Sequence, residues 1–180
     1  MFFVGIYGAA QPSMYVRTFL VLTPRRHRER MRRVLRYVKA DLRRWLVWRL
    51  LAMGFVGVTA TLCFYLLRMP LAGILGVIAG LFTFVEYLGA IVSAVPPLLL
   101  ALASSPVMAF WVLVLFVGIH VVEGYVLTPL IVRNAVRLPP AITLGCQAVL
   151  GVLLGPLGLA LSTPLLVAVV AASKAWRADG

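Results

Sequence analysis

LLAMGFVGVTATLCFYLL, residues Leu50–Leu67, contains no Lys, Arg, Asp or Glu. A helix needs roughly 20 apolar residues to cross the hydrocarbon core of a bilayer. Two longer stretches, Tyr87–Ile119 and Leu138–Ser173, are equally free of charge. A helix resting on a soluble core would keep a polar face, and none of the three has one. Over all 180 residues, 63% are hydrophobic and 12% charged, against about a quarter charged in soluble domains. Lipid is the solvent for these stretches. The fold class is therefore all-α integral membrane protein.

Just before Leu50 the chain is strongly basic. Between Arg17 and Arg49 lie twelve Lys/Arg against Glu29 and Asp41, a local charge of +10 (twelve minus two) within a total of +12. Thr23-Pro24 offers a cap and a proline for the first helical position. Met31, Val34, Leu35, Val38, Leu42, Trp45 and Leu46 then recur at helical spacing, with arginines on the other face. Residues 23–44 are expected to form a basic amphipathic helix in the membrane interface. Arg25, Arg26, Arg28, Arg32, Arg33, Arg36, Arg43 and Arg44 would bind anionic lipids of the cytoplasmic leaflet. A nucleic-acid partner is not expected, because no stacking platform or groove-reading motif accompanies the charge.

The span is expected from about Trp45 to Leu67, ending at Arg68-Met69-Pro70. In the other direction, Met1–Val16 lacks the basic leader of a signal peptide and would give about 24 Å of helix, interrupted by Pro12. Residues 1–22 are expected to be part of a membrane helix, as in an N-terminally truncated protein. Leu71–Ala103 holds too much apolar chain for one span and too little for two. Glu86, Gly89 and Pro96-Pro97 interrupt it, so a broken or re-entrant hairpin is expected. A regular span should follow from Pro106 to about Val126. After the polar stretch Thr128–Pro140, the block Ala141–Ala172 is expected to break at Gly155-Pro156-Leu157-Gly158 and at Pro164.

The two broken blocks share a pattern. A shift of 69 residues pairs Ala72 with Ala141, Leu75 with Leu144, Gly76 with Gly145, Leu88 with Leu157, Gly89 with Gly158 and Ser93 with Ser162. Residues 45–173 thus divide into two units of span plus hairpin, about 45–104 and 106–173, before a cytoplasmic tail at 174–180. If each hairpin returns to its own side, the basic block, Arg133, Arg137, Lys174 and Arg177 all fall on the cytoplasmic side. Only Arg68 lies outside. The units would be inverted, the arrangement many transporters use to place substrate at the repeat interface.

Glu86 is the sharpest single feature, since a carboxylate inside an apolar segment usually faces a partner, a cavity or an ion path. The competing reading is a wet glutamate at a hairpin tip. His120 and Glu123 share a helix face and could relay protons; alternatively Glu123 pairs with Arg133 or Arg137 and pins the loop. Thr128, Pro129, Pro139 and Pro140 terminate helices and shape that loop. Gly89, Gly155, Gly158, Thr163 and Pro164 offer unwound backbone and small surface for a gate, or simply close packing. Cys63 and Cys146 have no metal or redox spacing, and no cofactor is expected. With five acids, no nucleophile elbow and no phosphate-binding loop, the chain is not expected to be an enzyme.

EGYVLTPLIVRNAVRLPPAITL, Glu123–Leu144, resembles the signature of the autoinducer-2 exporter-like (AI-2E) permease family. So do LGPLGLALSTPLL, Leu154–Leu166, RRWLVWRLLAM, Arg43–Met53, and Pro70-Leu71-Ala72. The resemblance implies a multi-pass permease of the bacterial inner membrane that assembles as a homo-oligomer. Its cargo would be a small signalling molecule for export, or sodium or lithium exchanged for protons. Two departures stand out. The family usually has proline where Glu86 stands and often another at Ala90, and a Gly-Gln pair is common where this chain has Trp48-Arg49. The expected function is a secondary transporter subunit; the alternative is a membrane remnant or lipid-binding scaffold that moves nothing.

Overall fold

The computed structural model describes residues 28–127 and 139–177. Among these the chain forms α1 (Arg28–Leu66), α2 (Ala72–Phe82), α3 (Leu88–Ser104), α4 (Pro106–Val122), α5 (Pro140–Leu154) and α6 (Pro156–Arg177). A single π-helical turn, Glu123–Leu127, extends α4, and no strand occurs among the described residues. Three segments are long and apolar enough to cross a bilayer: Met31–Leu66, Pro106–Val126 and Pro156–Trp176. The protein is an all-α membrane protein.

The basic segment and the first span are one helix, with no break at Trp45. Its 39 residues exceed the roughly 30 Å hydrocarbon core at about 1.5 Å per residue, so its charged end projects past the acyl chains. Within that end Val34 is buried against protein, while Arg32, Arg33, Arg36, Arg43 and Arg44 are exposed. α1 stops at the expected place. The reversal that follows puts Arg68 and Leu71 at positive φ, 53° and 59°.

α2 returns along α1 with backbone against backbone. A Cβ on Gly76 would collide with the Thr61 side chain, and one on Gly80 would lie 2.7 Å from the Met53 carbonyl oxygen. Four-residue spacing puts both glycines on one helix face, against Gly57 of α1. In lipid there is little hydrophobic drive between helices, so close approach and dispersion hold such a pair. Val56, Ala60 and Phe64 of α1 complete this core with Ala72, Leu75 and Ala79 of α2 and Val112, Phe116 and Ile119 of α4. Phe64 stacks on Phe116 at 6.5 Å. α1 is the hub, packing on α2, α4, α6 and the π-helical turn; α5 packs on α6.

Both hairpins break, but not at their inner prolines. The first breaks at residues 83–87, and Pro96 and Pro97 lie inside α3. The second breaks at Gly155, whose φ of 63° suits glycine, while Pro164 lies inside α6. A proline in a helix interior loses one hydrogen bond and crowds the carbonyl four residues back. In a membrane bundle, neighbouring helices and small local adjustments accommodate that loss, so the helices continue. Ser105 starts α4 by accepting a hydrogen bond from the Met108 N–H at 3.1 Å, with Pro106 at the first helical position.

The hairpins share internal geometry. Gly89 lies against the Phe82 carbonyl and Gly158 against the Leu150 carbonyl, each so close that no Cβ fits. Four residues on, Ser93 and Ser162 are both buried, and each donates to the carbonyl three residues back, on Ala90 and Leu159. They differ in length: α3 has 17 residues and α6 has 22.

Candidate functional site

The tip of the first hairpin is where polar groups converge. As α2 ends, Thr83 Oγ1 donates to the Ala79 carbonyl at 2.8 Å. The chain then turns tightly around Tyr87, at φ 59° and ψ −62°. The Leu88 N–H donates to the Glu86 carbonyl at 2.6 Å, closing a three-residue turn of the rare, strained hand. α3 starts there.

Arg49 of α1 clasps this tip. Its side chain is 7% exposed; Nε donates to the Phe84 carbonyl at 3.1 Å, and Nη1 lies 3.6 Å from Glu86 Oε1. Trp45, one turn earlier, meets the Phe84 ring edge-on at 5.8 Å. An exposed ion pair contributes little, but a guanidinium at this depth is tolerated only with a partner. Glu86 is therefore a tip residue with a partner. Its side chain is 29% exposed and engaged with a buried charge.

The second hairpin supplies another wall. Gln147 of α5 has no exposed surface, and its Nε2 donates to the Glu86 backbone carbonyl at 3.0 Å. That carbonyl thus takes two N–H groups, one from its own turn and one from the other hairpin. Because a carbonyl only accepts, the Gln147 amide is oriented with Oε1 pointing away, and Oε1 has no hydrogen-bond partner among the described residues. The same holds for Oγ1 of Thr163, buried on α6. Cys146 Sγ lies 3.9 Å from the Ser162 carbonyl oxygen, which places Gln147 and Thr163 at the same level of the α5–α6 hairpin.

Glu123 opens the π-helical turn, a local widening often found at functional sites. Its charge bears on Arg49 and Glu86 more weakly than those two bear on each other. His120 lies one turn before Glu123, yet neither ring nitrogen bonds to it. Nδ1 donates to the Phe116 carbonyl at 2.9 Å and the ring lies 4.6 Å from that of Phe116; Nε2 has no partner among the described residues.

The remaining candidates lie apart from this cluster. Pro139 and Pro140 form the N-cap and first residue of α5. Gly89, Gly155 and Gly158 shape the hairpin turns, and Pro164 sits within α6 beside Thr163. Arg28 begins α1, and Arg44 is 3.9 Å from Asp41 on its exposed face. Arg25, Arg26, Thr128, Pro129, Arg133 and Arg137 lie outside the described residues. Two members of the cluster were not among the candidates. Arg49 was counted with the basic block and noted as a departure from the family at Trp48-Arg49, without being joined to the departure at Glu86. Gln147 passed unseen because a scan for charge ignores an amide, although a lone amide in an uncharged run is itself a signal.

A family model described as AI-2E family transporter matches residues 1–178. YrrI of Bacillus subtilis is 29% identical over 162 residues, covering 90% of this chain and 46% of its own. YhhT of Escherichia coli K12 is 30% identical over 152 residues, 84% of this chain and 42% of its own. YueF of Bacillus subtilis is 25% identical over 123 residues, 68% and 33%. Each is named as a transport protein by inference. The chain spans less than half the length of these relatives, and no solved structure matches it at a significant level.

Proposed function

The chain belongs to the AI-2E transporter family, and from that premise we propose that it works as the gating core of a secondary permease, not as an enzyme. The cargo in this reading is a small polar solute for export, or a monovalent cation exchanged for protons. The observation that carries it is the buried Arg49, which donates to the Phe84 carbonyl and lies 3.6 Å from the Glu86 carboxylate at a hairpin tip. A proton arriving on Glu86 cancels its attraction for Arg49, and the clamp on the first hairpin loosens. Movement of one hairpin against the other follows from that release.

In this reading the protein sits in the bacterial inner membrane with the basic end of α1 on the cytoplasmic side among anionic head groups, and assembles as a homo-oligomer. The test is flux in vesicles under an imposed pH gradient, comparing wild type with Glu86→Gln and Glu123→Gln. Loss of gradient-driven flux in either variant, with unchanged insertion, is expected. Unaltered flux in both would remove the coupling role from this cluster.

A further inference from the structure

The contact between the two hairpins combines one strained backbone position with two orphaned polar atoms. Tyr87 holds a positive φ with a Cβ attached, a conformation that persists only where the surroundings impose it. Gln147 Oε1 and Thr163 Oγ1 are buried without partners among the described residues, although buried polar groups are almost always satisfied. Thr59, Thr61, Thr83 and Ser162 show the ordinary alternative, donation to a carbonyl three or four residues back. What holds the arrangement is a single bond, from Gln147 Nε2 to the Glu86 carbonyl, together with the Arg49 clamp.

We propose that the Glu86–Leu88 turn and Gln147 form a two-state junction between the hairpins, with the observed state as one of its two positions. In the other, Gln147 leaves the Glu86 carbonyl and meets Thr163, within its own hairpin. Tyr87 relaxes to negative φ, and the two hairpins shift relative to each other. The strain and the orphaned atoms of the observed state offset the bond that Gln147 makes across the gap, which keeps the two states close in free energy. Gln147 is then a positioning residue, acting on Glu86 through the backbone carbonyl rather than through charge. The junction does not depend on what is transported, or on whether anything is.

The test reads the distance between hairpins directly. Nitroxide labels are placed at Ile91 on α3 and Val152 on α5, both exposed, with Cys63 and Cys146 replaced by alanine, in full-length chain reconstituted in lipid and diluted with unlabelled protein. Wild type is expected to show two distances. Tyr87→Gly removes the penalty on positive φ and should enrich the observed state about tenfold. Tyr87→Ala loses the same ring but keeps the Cβ, and should leave the ratio as in wild type. Gln147→Leu removes the cross-hairpin bond while preserving volume, and should enrich the second distance. Because Tyr87 is exposed, its variants test the junction even if Gln147→Leu fails to fold. One and the same single distance in wild type, Tyr87→Gly and Tyr87→Ala would overturn the proposal. Unaltered flux in Glu86→Gln and Glu123→Gln in the vesicle experiment, with these populations as expected, would count against the transport reading alone.

Discussion

Breaking the Arg49–Glu86 pair from the carboxylate side is the most informative single perturbation. Glu86→Gln keeps the volume of the side chain and removes its charge, leaving a guanidinium at 7% exposure without its closest counter-ion. Removing one partner of a buried pair typically costs about 3–5 kcal/mol. The 3.6 Å separation and the 29% exposure of Glu86 put the expectation at the low end, about 3 kcal/mol. Arg49→Leu strands a carboxylate that still reaches water, and also loses the bond to the Phe84 carbonyl, so about 2 kcal/mol is expected. The double variant Arg49→Leu/Glu86→Leu buries no charge and should lie within about 1.5 kcal/mol of wild type. The two single costs, summed, then exceed the double by several kcal/mol. The assay is reversible unfolding of the reconstituted protein by SDS in mixed micelles, read as a double-mutant cycle. Coupling below about 0.5 kcal/mol would mean that the two residues are independent, and the clamp would be refuted.

Other expectations follow from the same packing. Gly76→Val should prevent α1 and α2 from closing and abolish the folded species on size-exclusion chromatography, whereas Gly73→Val, with nothing near its Cβ position, should change stability by no more than about 0.5 kcal/mol. Gly89→Ala and Gly158→Ala should lower the melting temperature by similar amounts, because each Cβ meets the carbonyl of the preceding helix; Gly118→Ala, in open space, should not. Anionic lipid should raise the melting temperature of the detergent-solubilised protein more than zwitterionic lipid does. That difference should vanish near 1 M salt, where the Debye length is about 3 Å, and shrink in Arg32→Gln/Arg36→Gln/Arg43→Gln, three exposed positions on α1.

Composition and charge alone determined the solvent, the helical class, and the ends of several elements. The turn at Arg68-Met69-Pro70, the start of α4 at Pro106 and the break at Gly155 were all legible, because each depends on local backbone chemistry: a missing N–H or a positive φ. The matched glycines at 89 and 158 were legible too, as a repeat, though not the carbonyls they touch. Only the tertiary structure decided that Pro96, Pro97 and Pro164 continue their helices, since neighbours rather than sequence compensate the lost bonds. It alone decided what Glu86 faces. Arg49 is 37 positions away and Gln147 is 61, and nothing in either stretch says that it meets Glu86: one closes a basic run, the other is a single amide among apolar residues. Burial makes a lone charge intolerable and a shared carbonyl decisive, and burial is a property of the packed helices, which no local window of sequence contains.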